Sequence, residues 1–485
     1  MNIHQLIELI NPLEVSRFKP QGELTHFTQD SRQVGKGSVF IAVRGHEVDG
    51  HIFLEDAIAR EASVLVVEES FYTDSDVCVI EVEDTRTLVG PLAQAFQGNP
   101  AEQLTIVGIT GTNGKTTCAT LVYQLLQAAG KPASLLGTVS KRILDQEFES
   151  KLTTADPVEL AADMRAMVDA GSEFLVMEVS SHALDQFRVN GISFAVGGFT
   201  NISHDHLDYH DTLENYVKAK KKLFDSLTPS STAVVNMDNE FGQAMITDCE
   251  ASVVSLSFED GSAHILSSSA QGQEVVVDGI RIHSRLVGNF NAYNVAMAAL
   301  IAKSIGLTKE QITRGFEQAT GAAGRMEQIR VPGEELPTVI VDYAHTPDAL
   351  QNVIDTLLEA RLHDQSVVVV FGAGGDRDAA KRPKMAQAAQ RAQHVIVTSD
   401  NPRTEDPDAI IQDILAGFDS QDKVITITDR KEAIERAIAM ATPKEIVLIA
   451  GKGHEDYQEV HGERLPFDDR EIARQTLERK LKGEL

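Results

Sequence analysis

Residues 105–117 constrain this chain most strongly, because TIVGITGTNGKTT predicts a strand, a glycine-rich turn and a helix in immediate succession. Gly111 and Gly114 let the backbone approach a ligand closely, and the helix that follows presents free N–H groups at its positive end. Lys115 supplies a positive charge for terminal phosphates, and Thr116 supplies a hydroxyl for Mg²⁺. The stretch therefore predicts a phosphate-binding loop of the Walker A type.

The strict Walker A pattern is G-x-x-x-x-G-K-[ST], and Ile109 stands where its first glycine belongs. The order of strand, turn and helix still favours a nucleotide phosphate as the ligand. The predicted ATP contacts of this loop are Gly111, Thr112, Asn113, Gly114, Lys115, Thr116 and Thr117.

The composition disfavours several classes of partner. The 485 residues carry a net charge of −28, which disfavours nonspecific binding to nucleic acid or to anionic membranes. The three cysteines (Cys78, Cys118 and Cys249) have no metal or redox spacing, which favours a reducing compartment. Residues 1–15 read as a short amphipathic helix and not as a signal peptide, and no apolar run approaches the roughly 20 residues that span a bilayer. We therefore expect a cytoplasmic protein.

The length allows about three domains of roughly 150 residues each. Residues 1–84 read as a small α/β domain, with strand-like runs at 38–43, 62–67 and 77–82. Strands and helices alternate over residues 85–325 in the manner of a doubly wound domain that contains the phosphate loop. From residue 326 onward, three apolar strands each end in a loop of glycine, acidic and basic residues, which predicts a binding edge on a Rossmann-like sheet. The expected fold class is α/β with three domains.

Acidic and imidazole side chains follow two neighbouring strands of the central domain. Glu178 ends a buried strand, where an acid commonly holds the Mg²⁺ of a nucleotide, and we favour this role over that of a strand-end acid that faces solvent. The segment HDHLDYH at 204–210 has ligands that suit Zn²⁺, but no third strong ligand set is nearby. We favour His206 as a ligand of a second Mg²⁺.

A run of lysines at 218–222 lies within a predicted helix. From the pattern alone, such a run more often forms a solvent-exposed face of the helix. The alternative is that one of the lysines is buried and points toward a metal site. Further along, Asp342 ends a strand and can hold a ribose hydroxyl, and Arg325 can reach phosphates.

Together these motifs resemble those of the Mur ligases, the ATP-dependent amide-forming enzymes of peptidoglycan precursor assembly. The resemblance extends over nearly the whole chain, and the missing first glycine of the loop is the family's own variant. The matching stretches are residues 110–116, 178–182, Asn201 with Asp205 and His206, residues 288–294, Gly324 with Arg325, and residues 342–345.

The resemblance implies a role for each matching position. Lys115, Lys220 and His206 are expected to be catalytic residues, and Lys220 is expected to carry a carbamate (N6-carboxylysine). The expected Mg²⁺ ligands are Thr116, Glu178, His206 and the Lys220 carbamate, and Asn291, Arg325 and Asp342 join the loop in binding ATP. The expected contacts to a uridine-nucleotide muramoyl-dipeptide are Ser31, His46, Glu47, Val48, Thr153, Thr154, Ser180, Gln186 and Arg188.

Within the family, the chain resembles most the members that add the third residue of the peptide stem. The expected amino-acid site consists of Arg377, Asp400, Asn401, Pro402, Arg403, Gly451 and Glu455. The sequence Asp-Asn-Pro-Arg at 400–403 is similar to that of enzymes that select meso-diaminopimelate, whose distal carboxylate an arginine can bind with two hydrogen bonds. Lysine lacks that carboxylate, so a site built around this ion pair would reject it.

The expected reaction joins meso-diaminopimelate to UDP-MurNAc-L-Ala-D-Glu through an acyl phosphate, with ATP as co-substrate and Mg²⁺ as cofactor. We expect a monomer that acts on small molecules. Three alternatives stay open: a related ligase that adds lysine or, as in folylpolyglutamate synthetase, glutamate; a P-loop switch or regulatory NTPase; and a pure binding module. The loop at 400–403 argues against lysine, the N-terminal nucleotide pocket argues against folate, and no Asn-Lys-x-Asp guanine signature is present.

Overall fold

The structure is a computed structural model that describes residues 1–17, 22–45, 48–333 and 336–485. Two compact units are present. The first comprises residues 1–119, 130–255 and 304–306, and the second comprises residues 120–129, 256–303 and 307–485. Within the described ranges, no helix is long and apolar enough to cross a membrane.

The chain begins with a five-stranded sheet in the order β1-β5-β4-β3-β2, in which only β1 runs antiparallel to its neighbour. Both faces of the sheet are covered by apolar side chains, as expected for strands rich in valine and isoleucine. The elements are α1 (Ile3–Ile10), β1 (Glu14–Ser16), β2 (His26–Thr28), β3 (Ser38–Ile41), α2 (Leu54–Ala59), β4 (Val64–Val67), β5 (Cys78–Glu81) and α3 (Arg86–Phe96).

An eight-stranded sheet follows, in the order β13-β12-β11-β6-β10-β7-β8-β9. Its elements are β6 (Thr105–Thr110), α4 (Lys115–Ala128), β7 (Ala133–Leu136), β8 (Lys141–Ile143), β9 (Gln146–Phe148), α5 (Pro157–Asp169), β10 (Phe174–Glu178), α6 (Ser181–Asp185), β11 (Val196–Phe199), α7 (Leu207–His210), α8 (Leu213–Asp225), β12 (Thr232–Asn236), α9 (Gly242–Ile246) and β13 (Ser252–Leu256).

The phosphate-loop strand β6 lies between β10 and β11 and is parallel to both. The carboxyl ends of these three strands therefore meet at one edge, where open α/β sheets bind their ligands. The sequence Asp156-Pro157 predicts the start of a helix, and α5 begins there. The Asp156 carboxylate accepts hydrogen bonds from the backbone N–H groups of Val158 and Glu159, and Pro157 occupies the first turn.

A small antiparallel sheet and two helices come next: β14 (Ala263–Ser269), β15 (Gly272–Val277), β16 (Ile280–Ser284), α10 (Asn289–Ser304) and α11 (Lys309–Gln318). The sequence Asp278-Gly279 predicts a hairpin turn, and the structure has one between β15 and β16, where both residues have positive φ angles, of 48° and 69°. That geometry is the one a two-residue hairpin turn of the primed type requires.

The remaining chain forms a six-stranded sheet in the order β17-β18-β22-β19-β20-β21 and a separate hairpin, β23-β24. The elements are β17 (Glu327–Ile329), β18 (Thr338–Asp342), α12 (Pro347–Ala360), β19 (Ser366–Phe371), α13 (Lys381–Ala389), β20 (His394–Val397), α14 (Pro407–Leu415), β21 (Val424–Thr426), α15 (Arg430–Met440), β22 (Glu445–Ala450), β23 (Tyr457–Val460), β24 (Glu463–Pro466) and α16 (Asp469–Leu481).

The strands β18, β22, β19 and β20 are neighbours and run parallel. The three polar loops expected at one sheet edge follow β19, β20 and β22 and are indeed adjacent. The predicted α/β fold class is confirmed: along the chain, a small N-terminal sheet is followed by a P-loop sheet and then by a mostly parallel C-terminal sheet. The domain boundaries at 84/85 and 325/326 stay a prediction.

Candidate active site

The loop between β6 and α4 has the backbone shape of a phosphate cradle. Gly111 has a φ of 151° and Gly114 a φ of 87°, both in the region that favours glycine. A Cβ atom at Gly111 would lie 1.9 Å from the Thr200 hydroxyl oxygen, so a side chain has no room there. Gly111 therefore allows the loop to pack closely against the residues that follow β11.

The tip of the loop is held by the residues that follow β11. The Thr112 N–H donates to the Asn201 carbonyl at 2.7 Å, and the Asn113 N–H donates to the Asn201 side-chain oxygen at 3.0 Å. The Thr200 hydroxyl donates to the Asn113 carbonyl at 2.6 Å. These bonds fix two of the predicted ATP-binding residues before any nucleotide binds.

Thr116 and Glu178 are joined directly. The Thr116 hydroxyl donates to Glu178 Oε2 at 2.9 Å, and the Thr138 N–H donates to Glu178 Oε1 at 2.8 Å. Glu178 is 1% exposed, so the interpretation of this side chain as a solvent-facing acid is wrong. A hydroxyl and a carboxylate side by side at the start of a P-loop helix are the hard oxygen ligands that Mg²⁺ prefers.

Two lysines converge on the carbonyl oxygen of Gly111. Lys115 Nζ donates to it at 2.8 Å and also to the Thr112 carbonyl at 2.8 Å, while Lys220 Nζ donates to it at 2.8 Å. Lys220 is 1% exposed, so for this residue the solvated-face interpretation of the lysine run is wrong. Burial, together with the nearby Lys115 charge, lowers the pKa of Lys220 well below its ordinary value.

His206 and Lys220 share an aromatic neighbour, Tyr216. The Tyr216 ring lies 4.5 Å from Lys220 Nζ and 6.1 Å from the His206 ring, and the His206 backbone is left-handed, with φ 53°. Among the described residues, no group of three His, Cys, Asp or Glu side chains is arranged to hold a metal ion. That finding gives no support to a zinc site at 204–210, and a metal here would need hydroxyl, carbamate or phosphate oxygens as further ligands.

Five of the predicted dipeptide-binding residues belong to one hydrogen-bonded group: Thr153, Thr154, Ser180, Gln186 and Arg188. Arg188 donates through Nε and Nη2 to Gln186 Oε1 and through Nη1 to the Thr154 carbonyl at 2.9 Å. The Thr154 hydroxyl donates to the Glu178 carbonyl and accepts from the Ser180 N–H. The Thr153 hydroxyl lies 2.9 Å from that of Thr138. This chain of bonds connects the residues to the strand that ends in Glu178.

Ser31 lies in the wall of a cleft of about 970 Å³ beside the N-terminal sheet. Phe53 and Phe96 contribute apolar surface to this cleft, and Asp30 and Asp156 contribute carboxylates. The lining is mixed, with aromatic surface on which a base can pack and hydroxyl, amide and carboxylate groups that can bind a sugar, so the cleft suits a nucleoside. Val48 is exposed and does not line the cleft, and the predicted residues His46 and Glu47 lie outside the described residues.

Arg325 and Asp342 are brought together in the second unit. The Asp342 carboxylate is buried and accepts hydrogen bonds from the Met326 and Ala344 N–H groups, and burial raises its pKa. The Arg325 guanidinium lies over the Tyr343 ring at 4.9 Å, and its buried Nε has no hydrogen-bond partner among the described residues. Asn291 is buried and bonds to the Val287 carbonyl and the Asn294 side chain. ATP contacts by these three residues stay a prediction.

The predicted amino-acid site gathers at the carboxyl edge of the six-stranded sheet. Gly451 has a φ of 123°, and a Cβ atom there would lie 2.4 Å from Asp400 Oδ2. Asn401 is buried and donates to Glu455 Oε2 at 2.9 Å, and the carbonyl of Pro402 lies against Gly375. Arg377 is exposed. The structure therefore brings six of the seven predicted residues into one region and leaves Arg377 at its surface.

The sequence interpretation missed several residues that shape these sites. Lys452 is fully buried and donates to Asn401 Oδ1 at 2.8 Å and to Glu455 Oε2 at 3.3 Å. Arg430 is also buried, bonds both oxygens of Asp469 and donates to the Ala450 carbonyl, which precedes Gly451. For Lys452 a signal existed, since it lies between two predicted site residues in one loop. For Arg430 there was none.

The β6–α4 loop, its lysine and the adjacent hydroxyl–carboxylate pair define a P-loop protein that binds nucleotide phosphates. Comparison with known families gives the more specific assignment. Three family descriptions match: "Mur ligase family, catalytic domain" over residues 23–97, "Mur ligase middle domain" over 109–302, and "Mur ligase, glutamate ligase domain" over 324–453. The chain belongs to the Mur ligase family.

Similar proteins cover the full length of the chain. A protein of Cytophaga hutchinsonii is 44% identical over 99% of both chains, and one of Bacillus cereus is 40% identical over 100% of both; each is named UDP-N-acetylmuramoyl-L-alanyl-D-glutamate--2,6-diaminopimelate ligase. A solved structure of a ligase with that name is 34% identical, has a TM-score of 0.75, and covers 97% of this chain and 98% of its own.

Proposed function

We propose that the chain is an ATP-dependent amide ligase that adds meso-2,6-diaminopimelate to UDP-N-acetylmuramoyl-L-alanyl-D-glutamate. This step belongs to peptidoglycan precursor biosynthesis and so to cell-wall formation, cell shape and division. Support comes from full-length relatives that carry the name of this activity and from the chemistry of the residues at the phosphate loop and at 400–403.

The observation that carries the ligase proposal is the position of Lys220. A plain P-loop hydrolase has no use for a second, buried lysine whose amine lies 2.8 Å from the same loop carbonyl as the P-loop lysine. Burial and the neighbouring cation favour the neutral amine. Only a neutral amine attacks carbon dioxide, so this environment suits carbamate formation, in which the amine gains a carboxyl group and releases a proton.

The residues present fit two Mg²⁺ ions. Thr116 and Glu178 would hold one, and His206 and carbamylated Lys220 would hold the other. When bound, Mg²⁺ neutralises the charge of the phosphates and of the attacking carboxylate. Lys115 and the N-terminus of α4 add fixed positive charge on the same phosphates.

The reaction proceeds in two steps. An oxygen of the D-glutamyl side-chain carboxylate attacks the γ-phosphorus of ATP, the bond to the β-phosphate oxygen breaks, and ADP leaves an acyl phosphate behind. The amine of the incoming amino acid then attacks the acyl carbon, loses a proton, and phosphate departs as the amide forms. Gln186 and Arg188 are proposed to hold the dipeptide, and fixed positions for both reactants supply much of the rate enhancement.

Amino-acid selection is assigned to the loop at 400–403. Arg403 would bind the distal carboxylate of diaminopimelate with two parallel hydrogen bonds, and Glu455 and Asp400 are acidic partners for its ammonium groups. With lysine as substrate, the guanidinium N–H groups of Arg403 would have no carboxylate to bind, which costs binding free energy in a partly buried site.

The test is phosphate release with ATP, Mg²⁺ and UDP-MurNAc-L-Ala-D-Glu, comparing meso-diaminopimelate, L-lysine and no amino acid. We expect turnover that depends on meso-diaminopimelate. Equal rates with lysine would refute the specificity, and turnover independent of amino acid would refute the ligase and favour a P-loop NTPase. We further propose that the protein acts as a cytoplasmic monomer with domains at 1–84, 85–325 and 326–485, and that Asn291, Arg325 and Asp342 contribute to ATP binding.

A further inference from the structure

The hairpin strand β23 (Tyr457–Val460) lies directly against the segment 400–403. The Gln458 side chain donates to the Asp400 carbonyl at 2.7 Å, and the Glu459 N–H donates to Asn401 Oδ1 at 2.9 Å. The Arg403 N–H donates to the Glu459 carbonyl at 3.0 Å, and the Arg403 carbonyl accepts from the His461 N–H at 2.7 Å. None of these hairpin residues was predicted from sequence to take part in the amino-acid site.

Arg403 itself is held in an unusual conformation. Its φ is 52°, in the left-handed region that a residue with a long side chain rarely adopts. Its Nε donates to Glu459 Oε2 at 3.1 Å, and its Nη1 donates to the Gly375 carbonyl at 2.7 Å. Backbone and side chain of Arg403 are therefore both anchored, the former by β23 and the latter by Glu459 and Gly375.

These two side-chain bonds leave a defined part of the guanidinium available. Of the five N–H groups of an arginine, one on Nε and one on Nη1 are used. The described residues offer no hydrogen bond to Nη2 or to the second hydrogen of Nη1. Both N–H groups of Nη2 and one of Nη1 therefore remain for a substrate carboxylate, and we assign the terminal fork, formed by Nη1 and Nη2, as the edge that binds it.

We propose that Glu459 is a positioning residue that determines amino-acid selection, because it holds Arg403 so that this terminal fork faces the distal carboxylate of the amino-acid substrate. The inference rests on the proposed function and adds a residue to it. Glu459 does not touch the substrate and acts through Arg403.

A different role for Glu459 would be that of a stand-in carboxylate, which occupies Arg403 until the substrate displaces it. The contacts favour positioning. Glu459 bonds to Nε, on the side of the guanidinium and away from the terminal fork. Its backbone N–H and carbonyl are both bonded to the segment 400–403, so its carboxylate cannot leave Arg403 without a rotamer change on an anchored strand.

The experiment measures kcat and KM for meso-diaminopimelate in wild type, Glu459→Ala, Glu459→Gln, Arg403→Ala and the double variant Arg403→Ala/Glu459→Ala. We expect Glu459→Ala to raise KM for meso-diaminopimelate about tenfold, the factor that corresponds to about 1.4 kcal/mol, with KM for ATP unchanged. Glu459→Gln retains an oxygen that accepts from Nε, so it should stay within about threefold of wild type. Glu463→Ala, an exposed acid on the other strand of the hairpin, is the matched control.

The double variant separates positioning from general damage to the hairpin. If Glu459 acts through Arg403, Glu459→Ala has no further effect once Arg403 is alanine. A tenfold rise in that background would overturn the proposal, as would a lower KM in Glu459→Ala, which is the result expected of a displaced stand-in carboxylate. Wild type that does not use meso-diaminopimelate would instead refute the proposed function, which the wild-type measurement alone decides.

Discussion

Replacement of Lys220 by alanine should separate activity from stability. The change removes three methylenes of the side chain, worth about 0.8 kcal/mol each, and one hydrogen bond to the Gly111 carbonyl, worth about 1 kcal/mol. The variant also gains stability, because wild type buries an amine beside Lys115 at a cost of about 1–3 kcal/mol and the alanine variant does not. The net loss in the free energy of unfolding is therefore about 0.4–2.4 kcal/mol.

Activity should respond very differently. Loss of a preorganised charged group from a phosphoryl-transfer site lowers kcat by about 10²–10³-fold. The assay is amino-acid-dependent phosphate release, with thermal unfolding measured on the same samples. Lys218→Ala is the matched control, because Lys218 lies on the same helix with its side chain 66% exposed.

The carbamate can be tested in the same variant. A short carboxylate such as formate or acetate can enter the space that alanine leaves, and it should restore part of the activity of Lys220→Ala but none of that of Lys115→Ala. Removal of carbon dioxide and bicarbonate should lower the activity of wild type. The reasoning would be refuted if Lys220→Ala kept more than about a third of wild-type kcat, or if it lost activity only because it unfolded.

Three further outcomes are expected. Glu178→Gln should keep the fold, lower kcat by about 10²–10³-fold and demand more Mg²⁺, and an unchanged Mg²⁺ titration would contradict the assigned role. Gly451→Ala should lower the free energy of unfolding by about 1–3 kcal/mol and raise KM for the amino acid, because the new Cβ would meet Asp400. The control is Gly462→Ala: Gly462 also has a positive φ, but a Cβ there would meet no other atom, so the variant should lose less stability and keep its KM. Burial lowers the pKa of His454 to about 4, below the unfolded value near 6.5, so the neutral ring stabilises the fold above pH 6.5 and this contribution is lost as pH falls from 6.5 toward 4. In urea unfolding midpoints measured from pH 7.5 to 4.5, His454→Gln should therefore lose less stability than wild type as the pH falls. Parallel curves for the two proteins would argue against this role of His454.

Local signals were sufficient for much of the fold. The glycine-rich turn after a buried strand, the Asp156-Pro157 helix start and the Asp278-Gly279 hairpin each depend on a few adjacent residues, and the structure has all three. Strand-end loops could also be assigned to one sheet edge, because parallel strands place their carboxyl ends together.

Side-chain environment was harder to predict. Lys218 and Lys220 are two residues apart in one helix, yet one is exposed and the other is 1% exposed, and only the packing of α8 beneath the phosphate loop decides which. Glu459 is an ordinary strand residue in the sequence. Its importance arises from a pairing with Arg403 across 56 positions, which no local pattern contains. Contacts of this kind require the tertiary structure.

The two hydrogen bonds that Lys115 makes to its own loop bear on how the nucleotide comes and goes. An arriving phosphate does not meet a bare ammonium group, because the amine already has the carbonyls of Gly111 and Thr112 as acceptors. When a nucleotide binds, the Lys115 amine therefore exchanges its hydrogen bonds to carbonyl oxygens for hydrogen bonds to phosphate oxygens, and only the difference contributes to the binding free energy. The same acceptors are available again when ADP departs, so the loop can release its product without leaving the partly buried Lys115 ammonium group without acceptors. A moderate affinity for the nucleotide suits an enzyme that must release ADP after each amide bond is formed.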